Sequence, residues 1–557
     1  MTLADRGENR AARTSQRYDT SPFPLADGSL APWDRAEAVD LLLVNPPAPD
    51  GGIWIRSQHR VGRRSREGMV WPQVSLAQLA ALFPERRVGV VDAVAERMDW
   101  PTFERLLDAT RPRYYVTQLT GPTLQNDMYG VFLAKARGAV TITFGTHVTP
   151  LPQATLAPFP ALDYALRGEP ELTLRELLDT LDDQAVRQGD LWGPPLEAAF
   201  AQRLERLFRG ADPAWSPAWR REGALAQRLS AIAGLVWRRD GEIVVNADRP
   251  LIHDLDDLPL PRHDLLPLQR YRAPLVGGPY AFVVTARGCP AGCRFCIKHV
   301  SYGRAVRWRS PEHVLDEIEA LVALGVRDIH MYADLFTVNR EQTLGICEGL
   351  ISRFGGIKGK RLRWTCNSRV DFVDEELLQA MARSGCWMIS WGLESGSDAM
   401  LQRMHKGTNV ALAERSLRWA KQAGIMNWGY FIIGLPGESE ETIRQTIALA
   451  KRLPLDLALF HIAAPHPGTP FFFEVVENGW FRPGTRWEQV DMDRSTVLDY
   501  ADLNAEALQR WAQRAFRTWA FRPGPALTFA KMLLRDPALW PAAGRIGLEA
   551  LGWARGR

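Results

Sequence analysis

Three cysteines, Cys289, Cys293 and Cys296, fall within eight residues in the run Ala286-Arg-Gly-Cys-Pro-Ala-Gly-Cys-Arg-Phe-Cys-Ile297. Their spacing is C-x₃-C-x₂-C. Three thiolates on one short loop can hold three irons of a cubane iron–sulfur cluster and leave the fourth iron without a protein ligand. An open metal position is where a small molecule can bind and react. Gly288, Pro290 and Gly292 suit a backbone that wraps tightly and turns its amides towards cluster sulfides. Phe295 sets a ring beside whatever the open iron holds. Two blander readings remain: packed, reduced thiols, or a structural zinc site with His299 as fourth ligand. The crowding of half the chain's six cysteines into a Gly-rich loop after a β-like run favours the cluster.

A loop of this kind must stand at the end of a strand, and the following sequence supplies strands. After the β-like run at 280–285, further runs recur at 328–333, 362–368, 388–392, 428–433 and 456–462. Helical stretches separate them at 310–324, 340–354, 375–384, 410–423 and 440–453. Six βα repeats make a partial parallel barrel over 280–470, with chemistry at the carboxyl ends of its strands. Ser310-Pro-Glu is a good helix start.

The cysteine spacing with an aromatic before the last Cys resembles the signature of the radical S-adenosylmethionine (SAM) superfamily. The resemblance implies that SAM chelates the open iron and that one cluster electron cleaves it to methionine and a 5′-deoxyadenosyl radical. It also implies roles at the strand ends. Glu394 stands where a polar residue meets the SAM ribose, and Arg369 resembles the basic residue that meets the methionine carboxylate. Gly434, in Gly-Leu-Pro-Gly-Glu438, resembles the turn that closes over adenine. Asp334 stands where many members carry an acidic turn against the ammonium, and substitutes for it. Cys366, His461 and His466 are weak candidates for hydrogen or proton transfer near the substrate; Cys347 and Cys386 read as packing.

Ahead of the barrel, residues 40–45, 87–93, 113–119, 139–145 and 163–167 read as buried strands alternating with helices at 74–83, 101–109 and 124–136. The pattern predicts a doubly wound, Rossmann-like α/β domain over 37–182, whose ligands sit at the strands' carboxyl ends. Those ends carry Asn45, Pro46, Thr120, Gly145, His147 and Glu169. No G-x-G-x-x-G follows the first strand, so a dinucleotide site is unsupported. The order of turns resembles the cobalamin-binding domain that precedes some radical SAM barrels. A D-x-H-x-x-G motif is absent, which implies cobalamin bound without a protein imidazole on cobalt, His147 being the tempting exception. The basic stretch at 56–73, with Arg60, Arg63, Arg64 and Arg66, reads either as a solvated loop or as a contact to cofactor or an acidic substrate.

Residues 1–36 read as a flexible leader. Residues 183–279 read as an insertion and linker, with a helix near 196–208 and a hairpin about Asp240-Gly241. Residues 471–557 read as a helical tail (503–519, 526–534, 542–553) that caps the barrel or touches a membrane surface. The 557 residues carry a net charge of +4, with 46% hydrophobic and 24% charged residues. That balance gives no case for nucleic acid, and no apolar run is long enough to cross a membrane. Few cysteines and no secretion signal suggest the reducing cytoplasm.

Taken together, the resemblance implies a cobalamin-binding radical SAM enzyme using a [4Fe-4S] cluster, SAM and cobalamin, and reduced by a flavodoxin or ferredoxin. The layout is similar to the anaerobic magnesium-protoporphyrin IX monomethyl ester cyclase family of bacteriochlorophyll synthesis, so the first expectation is oxidative ring closure of that tetrapyrrole. The alternatives are a cobalamin-dependent methyltransferase acting on an unactivated carbon or phosphorus, and a non-catalytic cluster and cobalamin sensor.

Overall fold

The computed structural model describes residues 23–24, 30–31, 37–58, 60–65, 68–182, 197–216, 224–273, 276, 279–356, 362–492, 497–535 and 540. Most of the leader, the start of the insertion and the third tail helix lie outside the described residues. Strand β1 (Leu41–Asn45) leads into an antiparallel ribbon of β2 (Trp54–Ser57) and β3 (Arg60–Arg64). Strands β4 (Val88–Asp92), β5 (Tyr114–Gln118), β6 (Val140–Phe144) and β7 (Tyr164–Leu166) then alternate with helices α1 (Val74–Ala80), α2 (Trp100–Thr110) and α3 (Leu124–Ala136). Helices cover both faces of the parallel sheet, so its strands are apolar along nearly their whole length.

The sequence-derived strands are all present. Two of the differences from expectation bear on the site. Helix α4 (Pro170–Leu181) was not anticipated, because its charged residues point inward. Arg175, for example, reaches Glu85 at 2.6 Å and Asp179 at 2.8 Å, all three side chains being buried. The hairpin β8 (Leu235–Arg239) and β9 (Glu242–Val245) is no linker: β8 pairs antiparallel with β7. The first sheet therefore has seven strands in the order β9-β8-β7-β6-β5-β1-β4, and the first unit extends past 182. The strand order reverses at β1, which opens a crevice between the carboxyl ends of β1 and β5.

The second unit is the six-stranded parallel barrel fragment expected. Strand β10 (Tyr280–Val284) is followed by a two-residue ribbon, β11 (Ala286–Arg287) and β12 (Arg307–Trp308), that brackets the cysteine loop. Then come β13 (Asp328–Tyr332), β14 (Arg363–Ser368), β15 (Cys386–Glu394), β16 (Met426–Ile433) and β17 (Leu457–Ile462), in sequential order. Ser310 caps the helix Pro311–Ala323 by accepting from the His313 amide at 3.2 Å. The tail helix Ala505–Ala520 buries Leu508, Trp511 and Trp519 and packs on β17, so the tail caps the barrel. The next helix, Pro523–Arg535, leaves Leu527 and Leu534 exposed. Among the described residues no helix is long and apolar enough to cross a membrane.

The described residues of the stretch at 56–73 are mostly not a solvated loop; Arg66 lies outside them. Arg56 is fully buried in the crevice at the end of β1. Its guanidinium reaches Asp127 at 2.7 Å, the Asn45 side-chain oxygen at 3.1 Å, and the carbonyls of Pro46 at 3.1 Å and Pro47 at 3.2 Å. Gly62 on β3 lies so close to Thr120 that a Cβ there would sit 2.2 Å from the hydroxyl. Farther on, Met69, Val70 and Trp71 are buried, and Trp71 meets Phe282 edge-on at 4.3 Å on the inner wall of the barrel. One apolar core thus runs through both units. Arg63 is buried and donates to the Arg64 carbonyl, whereas Arg64 is exposed beside Asp50 at 3.1 Å.

Breaking a fully buried ion pair leaves an uncompensated charge, whereas an exposed pair contributes little. Denaturant unfolding of Arg56→Met is expected to show a loss of about 3–5 kcal/mol, and of Arg64→Ala less than about 1 kcal/mol.

Candidate active site

The cysteine loop leaves β11 at Gly288, whose φ is +89° and where a Cβ would lie 2.1 Å from the Ala305 carbonyl oxygen. Only glycine fits that approach of the loop to its own return strand. Cys289 and Cys293 are buried and Cys296 is partly so. Asp334, at the end of β13, holds the loop at both ends. It accepts from the Gly288 amide at 2.8 Å and pairs at 3.0 Å with Lys298, two residues past Cys296. Asp334 therefore organises the loop, a duty its sequence position did not reveal.

A constellation of charge gathers at Cys293. Arg369, after β14, points a guanidinium nitrogen at the Cys293 sulfur from 3.6 Å. It is held there by Asp371 at 2.7 Å and by the Lys406 carbonyl at 2.6 Å. Lys406 turns its ammonium to Glu394 at 2.8 Å. Burial by itself would lower Lys406, but Glu394 and then Cys293 outweigh it and hold the ammonium protonated. Glu394 ends β15 with φ of +63°, a left-handed conformation unusual for a glutamate and a mark of local backbone strain. Lys406 was missed from sequence: it lies on no strand, and only its place twelve residues past Glu394 hinted at it. Asn367, at the end of β14, donates to the Ala333 carbonyl at 2.7 Å while its buried side-chain oxygen has no hydrogen-bond partner.

Gly434 is braced from two sides. Its amide donates to the Glu438 carboxylate and its carbonyl accepts from Tyr500 of the tail at 2.9 Å. Burial pushes Glu438 up to about 7, against which the Gly434 and Leu435 amides pull only weakly. His461 stacks with Tyr430 at 6.0 Å, while His466 is half-buried and pushed down to about 4 by its loss of solvent, hence neutral. Cys366 does not join them. It is fully buried and lies beside Cys386, whereas its strand neighbour Thr365 bonds His330 at 2.8 Å and lines a cavity with Ser390 and Tyr430. Alternation along β14 thus turns Cys366 away from that cavity, towards the helices.

At the edge of the first sheet the candidates divide. Asn45 is spent on Asp92 at 2.7 Å and on Arg56. Pro46 accepts from Arg56. Thr120 bonds Thr123 at 3.1 Å. Gly145 turns the chain at φ +124° into the loop of His147. The His147 ring stacks on Trp487 of the tail at 5.0 Å, is pushed down to about 4 by burial, and has a hydrogen-bond partner on neither nitrogen. Glu169 is wholly engaged elsewhere. Its oxygens take Arg287 at 2.9 Å, Arg307 at 2.8 Å and the Ile252 amide at 2.8 Å. Burial would raise Glu169, but the two arginines outweigh it and hold the carboxyl below its ordinary value. It is a strut between the units, not a free ligand.

The donor set fits an iron–sulfur cluster. Three thiols share one pinned loop, a guanidinium faces one sulfur, and burial raises the Cys289 thiol, whose proton metal binding would displace. The unpaired Asn367 oxygen and the strained Glu394 leave acceptors for a polar molecule beside it.

Comparison with known proteins agrees. The profile of the radical SAM superfamily matches residues 283–450. An uncharacterized methyltransferase of Pyrococcus horikoshii is 27% identical over 84% of this chain and 90% of its own. The anaerobic magnesium-protoporphyrin IX monomethyl ester cyclase of Cereibacter sphaeroides is 28% identical over 78% of this chain, which spans 62% of that protein. Among solved structures, the radical SAM methyltransferase TsrM of Kitasatospora setae, with cobalamin and a [4Fe-4S] cluster bound, has the same fold: the TM-score is 0.59 at 18% identity, over 80% of this chain and 76% of that one.

Glu438 gives a pH signature. Its folded pKa lies above the ordinary 4.5, so the folded state binds the extra proton between 4.5 and about 7 and stability falls as pH rises through that window. Glu438→Gln, measured by denaturant unfolding, is expected to remove roughly 3 kcal/mol of that fall.

Proposed function

The barrel is a radical SAM domain, and we propose that the whole chain is a cobalamin-dependent radical SAM enzyme that methylates an unactivated carbon or phosphorus of a small molecule. The observation that supports the two-cofactor reading is the fold shared over 80% of this chain with TsrM, whose structure holds cobalamin and a [4Fe-4S] cluster. The relatives that span most of both chains, the Pyrococcus protein and TsrM, bear methyltransferase names. The cyclase similarity over 78% of the chain supports a second reading, oxidative ring closure of a tetrapyrrole.

Cys289, Cys293 and Cys296 would hold the cluster. Arg369, Glu394, Asn367, Asp334, Phe295 and the Gly434 turn would receive SAM. The Gly145–His147 loop and Thr120 would receive cobalamin, and the unpartnered His147 nitrogens fit a polar group there. When bound, the cluster supplies single electrons to SAM, and cobalamin supplies a metal that carries a methyl group. The chain's own work is electrostatic and steric. Arg369 stabilises charge on the Cys293 sulfur. Lys406 holds and aims the Glu394 carboxylate, which would accept two hydroxyls. Tyr500 and the tail helix hold the Gly434 turn and keep water from it. A reducing partner of the flavodoxin or ferredoxin kind and a cytoplasmic setting belong to the same proposal.

Anaerobic turnover with cobalamin, SAM and reductant separates the readings. S-adenosylhomocysteine forming while magnesium-protoporphyrin monomethyl ester stays unchanged is the expected outcome. Ring closure of that porphyrin without matching S-adenosylhomocysteine would establish the cyclase. Cys293→Ala should lose both iron and SAM consumption; a variant that keeps them removes Cys293 from the site. Lys406→Met leaves Glu394 without its buried partner and is expected to weaken SAM binding about tenfold or more by equilibrium titration, a cost of ~1–3 kcal/mol.

A further inference from the structure

Arg287 and Arg307 are cross-strand partners on the ribbon that brackets the cysteine loop. Like charges directly opposite in an antiparallel pair repel, and both side chains are buried, where water does not screen them. No residue of the ribbon itself offsets them. The compensating charge comes from the other unit: Glu169, at the head of α4, takes Arg287 at 2.9 Å through one oxygen and Arg307 through both, at 2.9 and 2.8 Å. Glu171 takes the outer Arg287 nitrogen at 2.5 Å. The Ile252 backbone closes the arrangement, its amide donating to Glu169 and its carbonyl accepting from Arg307 at 2.6 Å. Towards the first sheet, the Gly168 amide donates to Thr149 at 3.0 Å, and the Thr149 amide in turn to the Gly145 carbonyl at 3.4 Å. Towards the barrel, Arg287 is followed at once by Gly288 and Cys289.

Four buried charges are a poor source of stability, because desolvation offsets their attraction. What such an arrangement does supply is a unique register, since the loss of one member leaves the others uncompensated. We propose that Glu169 is the positioning residue of the cysteine loop: by bridging the two opposed arginines it closes the ribbon that carries Cys289 and locks that ribbon to the ligand edge of the first sheet. The inference rests on the two-cofactor reading for its purpose, but its first readout is taken on the metal-free chain and stands or falls separately.

The experiment is hydrogen exchange on the full-length, ligand-free protein and on Glu169→Gln, followed by mass spectrometry of peptides from 286–309. Exchange there should accelerate at least about tenfold in the variant, while peptides from β1 and β16 stay as in the wild type. Unchanged protection of 286–309 overturns the proposal. Arg307→Met and the double variant supply the second arm. With one of the opposed charges gone, Glu169→Gln should cost markedly less protection than it does alone, and strictly additive effects would refute the bridging role. The double variant also decides the matter should the single one fail to fold. After anaerobic reconstitution, the EPR spectrum of the reduced cluster on adding SAM should be one species in the wild type and a mixture in Glu169→Gln, returning to one species in the double variant. A wild type that forms no cluster would sink the two-cofactor reading and leave the exchange result to judge Glu169.

Discussion

Arg287 and Arg307 face each other across a ribbon only two residues long on each strand, and a carboxylate from the other unit is what lets them do so. Much of the molecule is arranged around that contact. The cysteine loop begins beside it, α4 begins at it, and the segment from β9 into the barrel is anchored to it through Ile252. Because all these groups are out of water, the geometry is all-or-none: a partial opening would expose two guanidinia to each other with nothing between them.

The segment between β1 and α1 does comparable work by different means. Its first half inserts Arg56 into the crevice where the strand order reverses, and satisfies there the Pro46 and Pro47 carbonyls and the Asp127 carboxylate. Its second half sends Trp71 against Phe282 and Tyr332 on the inner wall of the barrel. One segment thus shapes the ligand edge of the first sheet and fills part of the second unit, so the apolar core is continuous between them.

Around the cysteines the charges come in a fixed order: Asp334 with Lys298 on one side of the loop, Arg369 and then Lys406 with Glu394 on the other. Cationic groups flank the thiols, where cluster and substrate charge would accumulate, and each is itself held by a carboxylate or carbonyl. Such pre-set dipoles and charges need no reorganisation when a ligand arrives.

The sequence by itself determined the local things. Cysteine spacing marked out the loop after β11, period-2 and period-3.6 patterns laid out both sheets, and Ser310 and the Asp240-Gly241 turn marked their own places, because these depend on neighbours a few residues away. Of the strand-end residues, Arg369 and Glu394 do meet at one site, through Lys406. The tertiary structure alone decided what long-range docking decides. Glu169 lies 118 residues from Arg287 and 138 from Arg307, so its role as a strut could not be read from strand-end position. The basic stretch at 56–73 read either as a solvated loop or as a contact to cofactor or substrate, and it is Asp127, 71 residues past Arg56, that buries Arg56 instead. Cys366 looked available until the pleat turned it outward. In each case the deciding partner is a buried charge or a packed face, and which one a side chain meets is fixed only when the two sheets come together.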